Sequence, residues 1–367
     1  MKHGHLGYDH ILGTLSAAVR RAALGLPLAL TLGATSGQAA EELNALVWCD
    51  HTDPALIQPF EEKFGVKVNL KEYEGTGAAL AIVEQSQPGD WDVFVLDGVD
   101  VPRVAESGLL AELPQDQMPL DDVFGAVQMK DMTFRDGKMY AIMEKFGYNV
   151  ISYNKEKVDP ADMRDLSTLW SDKYKGRIAV YDYYIPLMDL VALKMGVKPS
   201  DITADILPAM KEELFKLKEN SVMVGDVVAS STALAVGEAD ILIGGGEWAV
   251  SVLSAEQPEL DWVLPDQGGM LWSQSLAVFE TSKNKDLAIE FVKYVMSPEG
   301  QARLATSSCF WGMPANAKAR DHLTEQQRAA LRWDEQEGFL ANSHRYFIPD
   351  AELDGQMLDV WTEFLQH

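Results

Sequence analysis

The chain has 367 residues, 47% of them hydrophobic and 24% charged, with a formal charge of −25. That balance specifies a globular protein rather than a disordered one, and the length favours two domains. So acidic a surface repels nucleic acid and anionic lipid, which excludes both as partners.

The N-terminus reads as an address. Lys2, Arg20 and Arg21 precede an apolar run from Ala22 to Ala34, and Gly37-Gln38-Ala39 supplies the small residues of a cleavage site. Residues 1–39 are therefore predicted to be a Sec-type signal peptide, the context of a twin-arginine signal being absent around Arg20-Arg21. The run is shorter than the roughly 20 residues that span a bilayer, and no later segment replaces it. No Cys follows it to carry a lipid anchor. The mature chain is expected to be exported, soluble and retained in a bacterial periplasm.

After residue 39 strands and helices alternate. Leu43 to Trp48 is a short apolar strand, and Pro54 to Phe64 has helical spacing that stops at Gly65. Val66 to Tyr73 alternates apolar with polar residues; a helix over Gly77 to Gln85, a strand over Trp91 to Leu96 and a helix around Val101 to Ser107 follow. Further strands are predicted at Ile178 to Asp182, at Ile241 to Ile243 before Gly244-Gly245-Gly246, and up to Trp262-Val263-Leu264. Pro265-Asp266-Gln267-Gly268-Gly269 then leads through Trp272 into an apolar strand reaching Val278, with a helix ending near Met296-Ser297-Pro298-Glu299. Such alternation implies a mainly parallel sheet covered by helices, with ligands beyond the carboxyl ends of the strands. The loops Trp48 to Asp53, Glu74 to Gly77 and Asp97 to Asp100 occupy that position.

Several short segments carry a family likeness through their order. These are Trp48 with Phe60-Glu61-Glu62-Lys63-Phe64-Gly65-Val66-Lys67-Val68, then Asp90-Trp91-Asp92-Val93-Phe94-Val95, Ser107-Gly108-Leu109-Leu110, Gly147 to Lys155, Leu169 to Arg177, Gly237-Glu238-Ala239-Asp240 and the Trp272 crossover. Together they resemble the extracellular solute-binding proteins of the polyamine type, which feed ABC importers. The resemblance covers nearly all of the mature chain. It implies an α/β, two-domain type II periplasmic binding protein fold with a central ligand cleft. The crossover strands fall near Phe146 to Tyr153 and Leu271 to Leu276. The first domain would comprise 40–148 with 273–316, and the second 149–272 with 317–367. It further implies a monomeric receptor without cofactor, not an enzyme, that hands a small amine to an inner-membrane permease.

Polyamine receptors clamp methylene chains between rings and neutralise ammonium groups with carboxylates, because a desolvated cation needs a paired charge or an aromatic face. Trp48 and Trp272 match two of the aromatic positions, and Phe310 or Trp311 falls where a third is expected. The acids depart from the pattern: Tyr183, Pro186 and Gln274 stand where the family places carboxylates, and Gly244 where it places a further Trp. Asp50, Asp97, Asp182, Glu144 and Glu247 remain as cleft-side acids, with His51, Tyr183, Tyr184 and Trp248 beside them. A ligand with one cationic centre fits this set better than a long polyamine. Thr76 and Ser230, each near a predicted helix start, suit a carboxylate on that ligand, although helix capping is the commoner use of such hydroxyls.

Two rival readings stay open. One is a receptor for an amino acid or other carboxylate. The other is an enzyme on the same fold, of the Cys-dependent thiamin-degrading type, because Cys49, Asp50 and His51 are consecutive. Against the enzyme, sequence neighbours are expected to point apart, whereas catalytic pairs converge from separate elements. Metal binding is not expected, since His51, His322, His344 and His367 show no ligand spacing. The resemblance sets Cys49 and Cys309 at the cleft edge of the first domain, leaving a disulfide and two free thiols as alternatives.

Overall fold

The computed structural model describes residues 41–367; the segment read as a signal peptide lies outside the described residues. The main sheet is mixed, with the strand order Lys67–Glu72, Glu42–Val47, Val93–Asp97, Gly269–Val278, Ile142–Asn154, Ile241–Gly245, Ile178–Tyr181 and Ser221–Gly225. The first three strands are mutually parallel, as are the last three. Between them lies an antiparallel pair, Gly269–Val278 against Ile142–Asn154. All-parallel pairing of the early strands follows from their helical connections, which return the chain to the same end of the sheet.

Strand Ile142–Asn154 spans the whole arrangement. Residues Ile142 to Asn149 pair with Gly269–Val278, and Val150 to Tyr153 pair with Ile241–Gly245 on the other flank. It is buried along almost its full length, as a strand covered on both faces must be. Its partner in the central pair also reaches Val93–Asp97, so each set of parallel strands is tied to the crossing ribbon.

Helix boundaries follow local chemistry. Asp53 accepts a hydrogen bond from Ala55 N at 2.9 Å, Pro54 opens the first turn, and Gly65 closes helix Pro54–Phe64 in the left-handed region at φ +66°. That helix packs Phe60 edge-on against Phe291, with ring centroids 5.0 Å apart, and Tyr294 donates to Leu56 O at 2.6 Å. Helix Lys285–Val295 thus returns late in the chain to the first set of strands. On the other side Met357, Trp361 and Phe364 of the last helix, Ala351–Gln366, join Met210, Leu214 and Leu217 of helix Leu207–Asn220 in one core. Among the described residues no helix is long and apolar enough to cross a membrane.

The elements differ from their sequence-based bounds by a residue or two, with one consequence for the site. The helix predicted to start near Ser230 begins at Val227, because Asp226 is the capping residue and accepts from Ala229 N at 2.8 Å. Ser230 is therefore inside the first turn, and its hydroxyl donates back to Asp226 O at 2.7 Å.

Candidate functional site

After strand Glu42–Val47 the chain makes a short 3-10 turn, Cys49–Thr52, and Cys49 is joined there to Cys309 with Cα atoms 5.9 Å apart. The turn aims Asp50 and His51 inward, where both are fully buried. His51 Nδ1 donates to Asp50 Oδ1 at 2.9 Å and Nε2 to Glu144 Oε2 at 3.1 Å. Lys145 Nζ donates to Asp50 Oδ2 at 2.9 Å and to Phe310 O at 3.1 Å, and sits 4.0 Å from the Phe310 ring centroid. Glu144 and Lys145 are adjacent in a strand and would normally point to opposite faces. A bulge opposite Gln274 and Ser275 leaves Glu144 as the extra residue, which re-aims it so that both side chains meet the same turn.

The charges in this chain of four groups offset one another. Burial opposes the charged form of His51, but Glu144 and then Asp50 outweigh it and push the imidazole up to about 10. Burial likewise works against the Asp50 carboxylate, yet Lys145 and His51 hold it well below its ordinary range. Burial pulls Lys145 down, with Asp50 opposing, and pushes Glu144 up, with His51 opposing. Asp50 is thus satisfied within the protein and offers no free negative charge to a ligand.

Asp97 is different. It ends strand Val93–Asp97, is only partly buried, and has no basic side chain at ion-pair distance among the described residues. The Thr76 hydroxyl accepts from Asp97 N at 3.3 Å and lies 3.5 Å from its Oδ2. Burial, and after it the neighbouring Asp100, raise the carboxyl to about 7. Its charge reaches the phenols of Tyr73, Tyr181 and Tyr183. Burial first, and then the charge of Asp97, hold the phenols of Tyr73 and Tyr183 above their ordinary range. Tyr73 packs on Trp48 at 6.1 Å on one side; on the other Tyr183 meets Tyr181 at 5.8 Å, and Tyr181 meets Trp248 at 5.3 Å.

Register completes this surface. Gln274 stands directly opposite Asp97, and Trp272, two residues earlier, shares its face of the strand. Trp272 lies opposite Gly147, where a Cβ would come within 1.5 Å of Glu247 Oε1 and 2.5 Å of Trp272 Cζ2. The missing side chain lets the Glu247 carboxyl dock on Tyr148 N, at 3.1 and 3.2 Å, beside the indole. Burial raises Glu247 to about 8, so it is mainly neutral at pH 7. Among the described residues the indole nitrogen of Trp248 and Oε1 of Gln274 are buried without hydrogen-bond partners, while the indoles of Trp48 and Trp272 lie against the Tyr73 phenol and the Glu247 carboxyl. Buried polar atoms normally find partners, so this collection marks a place where a polar guest fits.

Residues 55–331 match the family model described as bacterial extracellular solute-binding protein. The chain belongs to that family. The spermidine/putrescine-binding periplasmic protein of Escherichia coli (strain K12) is 25% identical over 286 residues, covering 76% of this chain and 79% of that protein. Among solved structures, the spermidine/putrescine substrate-binding protein PotD of Streptococcus pneumoniae superposes with a TM-score of 0.77 at 19% identity, over 89% of this chain and 99% of that one. A GABA receptor superposes with a TM-score of 0.69 at 17% identity, covering 89% and 97%. The protein is accordingly the substrate-binding component of an ABC importer, with a small solute as ligand and a permease as partner, and not an enzyme.

The predicted site residues of this solute-binding protein divide into three groups. Trp48, Thr76, Asp97, Tyr183, Glu247, Trp248, Trp272 and Gln274 belong to the surface around Asp97 or border it. Asp50, His51 and Phe310 form the closed charge network with Glu144 and Lys145; contrary to expectation, a single 3-10 turn brings the neighbours Asp50 and His51 together. The remainder have other partners: Asp182 accepts from the Trp361 indole at 3.0 Å, Tyr184 donates to Asp354, Ser230 bonds its own helix, and Trp311 packs on the core that holds Phe60 and Phe291. Lys145 was not foreseen. Two adjacent charges in the otherwise mostly apolar run Ile142-Met143-Glu144-Lys145-Phe146 were the available signal.

The Cys49–Cys309 bridge removes the thiol that the enzyme alternative needs. It closes a loop of 260 residues, so replacing Cys49 by Ser should cost about 2–4 kcal/mol in denaturant unfolding while solute binding persists. Thiol labelling of denatured, unreduced protein should find none free; two reactive thiols would remove the bridge from the account.

Proposed function

We propose that the protein is a periplasmic receptor for a small organic amine with a single cationic centre, including zwitterions that also carry a carboxylate. The two domains, 40–148 with 273–316 and 149–272 with 317–367, would close around that solute before docking on the permease. Asp97 carries this reading: among the described residues it has no basic side chain at ion-pair distance, and its charge reaches the Tyr73 and Tyr183 rings. An ammonium there gains a charge partner and a π-face together, and the Trp248 indole N–H, without a partner among the described residues, suits an acceptor such as a carboxylate on the same molecule. The names of similar proteins support both parts: spermidine and putrescine are amines, and GABA joins one ammonium to one carboxylate. The periplasmic location is supported by the signal-like N-terminus and by the name of the Escherichia coli relative.

Calorimetric titration of 4-aminobutyrate, butylammonium and spermidine into the wild type and Trp272→Ala tests this. Spermidine should be the weakest ligand of the three, and removing the indole should weaken the best one about 3- to 30-fold, the range of a desolvated cation–π contact. Tight spermidine binding by the wild type, or an unchanged affinity in Trp272→Ala, would sink the reading.

A further inference from the structure

The Lys145 ammonium occupies surroundings made for a guest. It is fully buried, with one carboxylate oxygen of Asp50 at 2.9 Å, one carbonyl oxygen of Phe310 at 3.1 Å and the Phe310 ring 4.0 Å away. A charge partner, a dipole and a π-face are what a desolvated alkylammonium requires. The Phe310 ring in turn stands edge to face with Trp272, centroids 6.1 Å apart. Gly312 lets Trp272 come up to the lysine stem, since a Cβ there would come within 2.7 Å of Trp272 Cη2 and 2.8 Å of Lys145 Cε. Gln274 stands opposite both Lys145 and Asp97, on the central and the flanking strand, so the lysine and the unpaired acid border the same residue.

We infer that Lys145 is a built-in ligand: its ammonium fills one cation subsite of the cleft, leaving only the Asp97 subsite for the solute. The inference rests on the amine reading above and explains its restriction to one cationic centre. Asp50 is already paired, with His51 and Glu144 completing the neutral network, so a second ammonium entering from solution would meet a resident positive charge instead of a free carboxylate. Selectivity against diamines is then written into the strand as a covalently attached competitor, whose local concentration no free solute matches.

The experiment removes the tether. In Lys145→Ala, thermal unfolding is followed against added propylammonium, 1,4-diaminobutane, spermidine and, as a neutral control, 1-propanol. Propylammonium should raise the melting temperature of the variant clearly more than that of the wild type, because beside the Asp97 subsite it also gives Asp50 a cation again. At least one of the two longer amines should act at a tenfold or more lower concentration than propylammonium, because it reaches Asp97 as well. Adding Asp97→Asn to the variant should erase that advantage while leaving the propylammonium response. No response to any amine, or equal responses to all three, overturns the inference; equal responses are what a merely structural ion pair would give. If propylammonium rescues the variant and a longer amine shows its advantage, yet the wild type binds no monoamine, the built-in ammonium stands and the amine reading falls. Where Lys145→Ala does not fold in plain buffer, the same ammonium ions are supplied during refolding, and failure to recover the fold also overturns the inference.

Discussion

Replacing Asp50 by Ala should lower the stability of the folded chain by about 3–5 kcal/mol, the effect of breaking a buried ion pair from one side. Lys145 would keep only the Phe310 carbonyl and ring, and His51 only Glu144. Neither ammonium nor imidazolium can reach water, because both side chains are fully buried. The pH profile should change with it. His51 is raised from 6.5 to about 10, so its contribution is complete below pH 6.5 and is lost as pH climbs through 10. Asp50 is lowered, so its contribution is present above its ordinary value and lost as pH falls well below it. Both shoulders should weaken in the variant. Equilibrium unfolding from about pH 2 to 11 measures this, and a change under about 1 kcal/mol at pH 7 would mean that the buried ion pair does not hold the fold together.

The second large effect concerns capture of the solute. Asp97→Asn keeps the shape of the side chain and removes its charge, so binding of a cationic ligand should weaken by about 30-fold or more, equivalent to at least 2 kcal/mol. Wild-type affinity should also depend on pH. With Asp97 near 7 in the free protein, part of the population is protonated at neutral pH, and an incoming ammonium expels that proton. Affinity should therefore rise between pH 6 and 8, flatten above, and fall by up to tenfold per unit below about pH 6. Titration calorimetry in two buffers of different ionisation enthalpy reads the released proton directly. An Asn variant with the same affinity and the same pH slope would show that another group takes the cation.

Much of the framework was legible in the residues. Asp53-Pro54 and Gly65 bracket a helix chemically, and the periodicity between Leu43 and Ser107 gave strands and helices close to their observed bounds. Trp272 and Asp97 could be placed at strand ends because pattern fixes where a strand stops. What pattern cannot give is the direction of a charge. Asp50, Asp97 and Asp182 look alike as acids after strands, yet one meets Lys145, one forms no ion pair among the described residues, and one accepts from Trp361, 179 residues away. The bulge that turns Glu144 and Lys145 to one side adds a residue to the strand without marking it in composition. Long-range partners and a local slip in register together decided which acids were free.

The bridge between Cys49 and Cys309 also has a mechanical meaning. It makes a covalent ring that contains the crossing ribbon Ile142–Asn154 and, of the two three-stranded parallel sets, every strand except Glu42–Val47. Tension applied at the two ends of the chain runs through the sulfur atoms and bypasses the ring. Only the first strand and the segment after Cys309 can be drawn out, the latter by peeling helix Ala351–Gln366 from its seat on Leu207–Asn220. A machine that threads polypeptides in single file would have to pass the ring as a doubled strand, so closure of the ring has to follow any such passage.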